Sequence, residues 1–135
     1  MRSMTTFLLR TATGALGFML LDGLWLGLVM SGFYKAQLAP IARMAGGGFA
    51  PNWPAAFVVY LLLGAGVALF VIPRAGGAAS AAGWGALLGL VVYGVYDFTN
   101  FSTLRQYPFV LAVVDLAWGV TASAICAAAV RLVVR

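Results

Sequence analysis

Three aspartates are the residues of this sequence best suited to chemistry. Asp22, Asp97 and Asp115 are its only acidic residues, and each lies inside a long apolar segment. A charged aspartate at the centre of a lone membrane helix costs about 2.5–3.5 kcal/mol on insertion scales. Three such residues, in a chain with no acid in any predicted loop, therefore require a structural or functional reason.

Aromatic and polar residues accompany the aspartates at helical spacing. Asp22 and Trp25 are three residues apart, as are Asp115 and Trp118, so each acid shares a helix face with an indole. Because these two helices run antiparallel, we expect each indole N–H to donate to the carboxylate of the other helix. The segment around Asp97 has further polar residues on one face or beside it. The predicted ligand-binding residues are Asp22, Trp25, Tyr93, Tyr96, Asp97, Thr99, Asn100, Asp115 and Trp118.

The three acids are expected to lie in the same part of the membrane. Counted at about 1.5 Å per residue from the predicted outer helix ends, all three fall in the outer half of the membrane or near its midplane. They would then share one water-poor cavity. Because close carboxylates in such a cavity repel one another, we expect at least one to be protonated at neutral pH.

Three interpretations of this cluster remain open. The first is a site that binds a small cationic or amphiphilic ligand or couples to protons, since intramembrane acids usually mark such paths and aromatic faces attract cations. The second is an enzyme or accessory subunit of membrane lipid modification, with a neutral aspartate as acid and an ionised one as base. The third is structural, with the aspartates as interhelical hydrogen-bonding glue, at about 0.6 kcal/mol per bond. We favour the first and lean against an enzyme.

Metal and cofactor sites are not expected. Carboxylates with Asn100 and a tyrosine would suit a hard cation such as Mg²⁺, Ca²⁺ or Mn²⁺, but no acidic pair has the spacing of a metal motif. The chain has no histidine and a single cysteine, Cys126. That composition excludes imidazole-ligated haem, cysteine metal clusters and Ser–His or Cys–His catalytic pairs.

Composition determines the elements that must position the acids. Residues of the AVILMFWYC class make up 64% of the chain and charged residues 8%, against about a quarter charged in soluble domains. We predict an all-α integral membrane bundle of four transmembrane helices, up-down-up-down, forming a single domain over residues 1–135. The predicted spans are residues 6–33, 55–72, 78–101 and 108–133. The first is too long and too polar for a cleaved signal peptide.

The lengths of the connections and the spacing of the glycines predict how the helices are joined and packed. The long first connection should contain a short interfacial helix over residues 33–44, ended by the glycines at 46–48. The other connections are short, which makes neighbouring helices antiparallel. The pairs Gly23/Gly27 and Gly85/Gly89 have the spacing that lets membrane helices approach closely.

The eight cations predict the orientation in the membrane. They stand singly near segment ends, so they indicate headgroup anchors and no nucleic-acid surface. Five lie on the side of both termini (Arg2, Arg10, Arg74, Arg131 and Arg135) and three on the other (Lys35, Arg43 and Arg105). This favours both termini in the cytoplasm. Four helices are few for a transporter, and a homodimer would supply a second half.

Three blocks carry a family resemblance. The stretches LDGLWLG (residues 21–27, followed by Phe33 and Tyr34), YGVYDFTN (93–100) and VDLAWG (114–119) resemble the small bacterial membrane family catalogued as domain of unknown function 2177. The resemblance implies a four-helix inner-membrane protein without an assigned activity, whose genes lie near those of lipid-modifying enzymes. Its signature positions would be Asp22, Trp25, Tyr96, Asp97, Thr99, Asn100, Asp115 and Trp118. The first connection has no family motif.

Overall fold

Four long helices dominate the computed structural model, which describes residues 3–135. Within that range, the helices long and apolar enough to cross a membrane are Met4–Val29, Trp53–Arg74, Ala78–Thr103 and Phe109–Val133. The predicted all-α, four-span membrane fold is therefore confirmed. The elements in chain order are α1 (Met4–Leu24, continued by a π-helical turn at Trp25–Val29), α2 (Ser31–Leu38), β1 (Met44–Ala45), β2 (Gly48–Phe49), α3 (Trp53–Gly66, continued by a π turn at Val67–Val71 and a 3-10 turn at Ile72–Arg74), α4 (Ala78–Thr103) and α5 (Phe109–Val133).

Local sequence explains where the spans begin and end. The Ser3 hydroxyl caps α1 by accepting from the Thr6 amide at 3.2 Å, and the Asn52 side chain caps α3 by accepting from Ala55 at 3.2 Å. Such caps satisfy amides that have no partner within the helix. Pro54 lies in the first turn of α3, where its missing N–H costs nothing. Pro73 lies in the 3-10 turn that ends this span.

The first connection differs from its prediction. The first span stops at Val29 rather than residue 33, and Met30 (φ −118°, ψ 17°) breaks the helix before α2 starts. The connecting helix ends at Leu38, and Gly46 and Gly47 form the turn of a small antiparallel hairpin instead of ending a helix. Both glycines have positive φ, 56° and 76°, which two-residue hairpin turns require. This arrangement brings α2 back over the end of the bundle.

Glycines bring the helices together in two close pairs. Gly85 and Gly89 of α4 pack against the backbone of α5 at Ser123 and Gly119, as predicted. The prediction for Gly23 and Gly27 was wrong, because a side chain at either position would meet nothing within 4 Å. The α1–α3 contact instead uses Gly14 and Gly64 (Cβ of Gly14 to Cα of Gly64, 2.9 Å). Spacing alone does not say which glycines face a neighbouring helix.

The core lies in the half of the bundle that contains the termini. Its buried side chains come from all four spans and include Phe18, Val67, Ala81, Cys126 and Val130. In this half α4 contacts the π and 3-10 turns that end α3. The α-helical part of α3 makes no comparable contact with α4. The two helices therefore separate toward the end that holds α2 and the hairpin.

Both termini lie at the same end of the bundle. The Arg10 guanidinium donates to the carbonyl of Val134 at 3.4 Å, which ties α1 to the end of α5. Arg10 is 7% exposed, so its predicted role as an anchor facing lipid headgroups is wrong. Arg74 and Arg131 donate to carbonyls of Phe70 and Gly76. Arg2 lies outside the described residues.

The close α4–α5 contact predicts a matched pair of variants. At Gly85 a Cβ would lie 2.5 Å from the Ser123 carbonyl oxygen and 2.6 Å from the Ala127 Cβ, whereas at Gly83 it would meet nothing within 4 Å. We expect Gly85→Ala to lower the free energy of unfolding by about 1–3 kcal/mol through overpacking. Gly83→Ala should leave it unchanged or raise it by up to about 1 kcal/mol, because alanine favours helix. Unfolding in detergent measures both, and equal stabilities would contradict this packing.

Candidate functional site

Asp22 and Trp118 form the first contact of the site. The Trp118 indole N–H donates to Oδ1 of Asp22 at 2.8 Å, joining α5 to α1 as predicted. The indole of Trp118 also stacks on that of Trp25, with ring centroids 4.5 Å apart and planes 4° from parallel. Tyr60, on α3, lies close to the same Asp22 carboxyl and lines the same cavity. Three spans therefore meet at one aspartate.

Asp115 is reached through a tyrosine rather than directly by Trp25. The Trp25 N–H donates to the Tyr34 hydroxyl at 3.1 Å, and that hydroxyl donates to Oδ1 of Asp115 at 2.7 Å. The predicted direct bond from Trp25 to Asp115 is therefore wrong. The physical reason is the break at Met30, which turns α2 back and inserts Tyr34 between the two partners. A hydroxyl can accept one bond and donate another, so it suits this position.

Asp97 is the most deeply buried acid. Its side chain is 0% exposed, and its Oδ1 accepts from the Tyr107 hydroxyl at 2.6 Å. Its Oδ2 is buried and accepts from no donor in residues 3–135. The carboxyls of Asp97 and Asp115 lie within hydrogen-bonding reach of each other. A proton held between these two groups would satisfy the otherwise unpaired oxygen, and an unsatisfied buried acceptor is costly.

All five tyrosines of the chain gather around the acids. Besides Tyr34, Tyr60 and Tyr107, Tyr93 packs directly on Gly119, where any side chain would overlap the phenol ring. Tyr96 lies within hydrogen-bonding reach of Asn100. Phenols can donate to a carboxylate while presenting an apolar ring to lipid or a ligand. Phenol hydroxyls and indole N–H groups therefore take the place of water as hydrogen-bond donors to the carboxyl groups.

Of the predicted residues, Trp25, Asp97 and Asn100 line neither of the two cavities next to the cluster, and Thr99 lies outside the cluster altogether. It is exposed, and two residues along a helix from Asp97 it points about 200° around the axis. Its backbone carbonyl accepts from the hydroxyls of Ser102 and Thr103, which ends α4. Asn100 is half-buried and reaches the site only through Tyr96.

Two cavities adjoin this cluster, and together we call them the chamber. The smaller, of about 330 Å³, lies between α3 and α4 in front of Tyr93 and Trp118. The larger, of about 650 Å³, extends beneath α2 and the hairpin to Arg43 and Trp53. They share six lining residues, Asp22, Leu26, Ala56, Tyr60, Tyr96 and Asp115. The two spaces therefore meet at the same pair of carboxyl groups.

The acids lie at one level of the bundle, whereas the residue count predicted only that each lies in the outer half of the membrane or near its midplane. Asp22 lies seven residues before the end of its span at Val29, and Asp97 six before Thr103. Asp115 lies six residues after Phe109. At about 1.5 Å per residue, all three are about 9–10 Å inside the ends of their helices. This end of the bundle is opposite the one that holds Arg10 and Val134.

The electrostatics of the cluster lack a positive partner. In residues 3–135 no lysine or arginine forms an ion pair with any of the three aspartates. In the same range no group of three or more His, Cys, Asp or Glu side chains is arranged to hold a metal ion. The carboxyl groups are therefore balanced by hydrogen-bond donors alone.

Sequence reasoning missed three tyrosines of the site: Tyr60 on α3, and the pair Tyr34 and Tyr107. Tyr34 and Tyr107 lie in connections outside the spans, next to helix starts, so no helical periodicity links them to the acids. The signal that could have identified them is the concentration of tyrosines near one end of the predicted bundle. Burial, followed by the neighbouring Asp115 carboxylate, raises the pKa of Tyr34. Burial and the bond to Asp97 raise the pKa of Tyr107.

The raised pKa of Tyr34 predicts an alkaline titration. In the folded protein this phenol stays neutral above pH of about 10, where an exposed tyrosine ionises. Its contribution to stability is therefore present below pH of about 10 and is lost as pH rises toward the higher folded value. Tyrosinate absorbance measures the ionisation, and Tyr34→Phe identifies the signal. Asp115→Asn, which removes the charge, should shift that signal to lower pH; an unshifted signal would contradict the contact.

The comparison with known proteins covers almost the whole chain. Residues 7–132 match the family described as predicted membrane protein, DUF2177, and this range includes every residue of the site. No curated protein and no solved structure matches the chain. This match confirms the family resemblance of the three Asp-containing blocks. The chain belongs to the DUF2177 family of predicted membrane proteins.

Proposed function

We propose that this protein binds a small amphiphile with a cationic head, taken laterally from the bilayer, in the chamber. The observation that carries the proposal is the meeting of two cavities at Asp22 and Asp115. Charge complementarity supports it, because these carboxyls have hydrogen-bond donors but no cationic partner in residues 3–135. A bound cation would supply the missing charge, and the surrounding phenol and indole rings attract cations as well.

The chamber walls favour an apolar body behind the cationic head. Leu26, Val59, Leu63 and Val92 line the smaller cavity with aromatic rings. Val59 and Val92 are 51% and 39% exposed, so they form the edges of the gap between α3 and α4. In a membrane this gap faces acyl chains. An amphiphile can therefore enter laterally through this gap, without moving its charge between closely packed helices.

A second candidate function, proton coupling, rests on a separate observation. Oδ2 of Asp97 is buried without a donor, and the Asp115 carboxyl lies close to that of Asp97. One proton shared by the pair satisfies this oxygen. A cation arriving at Asp115 competes with that proton and displaces it to the aqueous phase, so that binding and proton release are linked.

Location and assembly complete the proposal. We place the protein in a bacterial inner membrane with both termini in the cytoplasm, from the cation distribution and the family. The chamber would then open on the outer side. The homodimer expected from the sequence stays a prediction. Catalysis in lipid modification is the alternative class, and turnover of added lipid by the purified protein would favour it over binding.

The carboxylates predict the strength of cation binding. Asp115→Asn and Asp22→Asn should each weaken binding of a single-chain alkylammonium to the detergent-purified protein by about tenfold, since loss of one close charge interaction amounts to about 1.4 kcal/mol or more. Thr99→Val, on the opposite face of α4, should leave it unchanged. Isothermal titration measures the dissociation constants.

Two results would count against binding at the chamber. One is an alkylammonium affinity that neither asparagine variant changes. The other is absence of binding to the folded wild type together with loss of folding in both variants, which is the result that the hydrogen-bonding glue interpretation predicts. Circular dichroism and size-exclusion chromatography report folding for every variant.

The shared proton predicts a second measurement. Alkylammonium binding should release a fraction of a proton, seen as a binding enthalpy that depends on the ionisation enthalpy of the buffer. In Asp97→Asn no second carboxyl shares the proton, and the release should fall while binding persists. Equal release in Asp97→Asn and wild type would contradict coupling through this pair.

A further inference from the structure

Arg43 is a charged residue of the chamber that cation binding does not use. It lies between α2 and β1, and its carbonyl accepts from the Ala50 amide at 2.8 Å, which fixes its backbone at the base of the hairpin. Arg43 is exposed and lines the larger cavity together with Asp22 and Asp115. Within residues 3–135 its guanidinium forms no hydrogen bond and no ion pair. A guanidinium without a protein partner at the edge of a cavity is suited to an anion, above all a phosphate.

The two kinds of charge lie at different depths in this cavity. Asp22 lies about 10 Å inside the end of its span, counted at about 1.5 Å per residue. Arg43 lies in the connection beyond the helix ends. A ligand that matches both must carry a positive group that reaches inward and a negative group nearer the membrane surface. A zwitterionic phospholipid headgroup has this pair of charges on adjacent groups.

The exposed glycines of α1 provide a path for the acyl chains. Gly23 and Gly27 line the larger cavity beside Met19 and Leu26. A side chain at either glycine would meet nothing within 4 Å, so the α1 backbone there lies open along one face. This face leads from the carboxyl groups to the apolar surroundings of the bundle. Among the described residues, no other helix packs closely against these two glycines. Because they have no side chains, the surface there forms a groove in which a hydrocarbon chain can lie.

We propose that the ligand of the larger cavity is a zwitterionic phospholipid of the phosphatidylethanolamine class. The ammonium group lies at Asp22 and Asp115, the phosphate at Arg43, and an acyl chain along Gly23 and Gly27. This inference rests on the proposed cation binding and adds the phosphate contact and the lipid class. It requires no chemical step, since the headgroup binds intact.

The experiment compares three probes on the detergent-purified full chain. Short-chain phosphatidylethanolamine carries both charges, a single-chain alkylammonium carries only the cation, and short-chain phosphatidylglycerol carries only the phosphate. Arg43→Gln removes the proposed phosphate contact. Lys35→Gln, the matched control, removes the same charge from the same connection at a position that lines neither cavity. Native mass spectrometry gives relative affinities for every combination.

The expected pattern separates the two proposals. Wild type should bind phosphatidylethanolamine at least tenfold more tightly than either single-charge probe, and Arg43→Gln should remove about tenfold of the phosphatidylethanolamine affinity while leaving alkylammonium binding unchanged. Lys35→Gln should change neither. Unchanged phosphatidylethanolamine affinity in Arg43→Gln, or an equal loss in Lys35→Gln, overturns the phospholipid assignment while alkylammonium binding stands. Tighter binding of phosphatidylglycerol than of phosphatidylethanolamine also overturns it. Failure of the wild type to bind alkylammonium and phosphatidylethanolamine alike overturns the underlying cation site.

Discussion

Carboxyl groups that must be solvated inside a membrane are the constraint on which the rest of this structure depends. An unpaired acid in hydrocarbon is costly, and the chain supplies its three acids with hydroxyl and indole donors rather than with cations. Trp118 serves Asp22, Tyr34 serves Asp115 and Tyr107 serves Asp97. Hydrogen bonds alone stabilise carboxyl groups while leaving the net charge of the cluster uncompensated. In the proposed function, that remaining charge attracts the positive group of the ligand.

The architecture divides this small chain into two halves with different tasks. In the half that contains the termini, Gly64 and Gly85 bring the helices into backbone contact, and the buried side chains close the core. In the other half α3 and α4 separate, and aromatic side chains join aliphatic ones around the cavities. The close contacts in the first half are what allow the second to stay open. The π-helical turn at Trp25–Val29 belongs to the open half, and π turns are frequent at functional sites.

Much of this arrangement could be predicted from residue types and counting. The four spans follow from apolar length, and helix rise predicts that all three acids lie in the outer half of the membrane or near its midplane. The Trp118–Asp22 bond follows from antiparallel helices with the same Asp-x-x-Trp spacing. What could not be predicted depends on where the backbone turns. The break at Met30 decides that Tyr34 rather than Trp25 contacts Asp115, and helix rotation decides that Gly14 rather than Gly23 contacts α3. Neither the break at Met30 nor the rotation of the helix leaves a periodic pattern in the sequence.

The proposed function requires that the carboxyl groups of Asp22 and Asp115 hold a bound headgroup inside a shared space. A high-resolution density map of the protein extracted with its native lipids tests this most directly. The proposed phospholipid binding mode predicts elongated density that touches both carboxyls, reaches Arg43 and continues past Gly23 toward the acyl chains of the bilayer. Carboxyl groups found far apart, or a chamber filled by repacked side chains or by water alone, would contradict it.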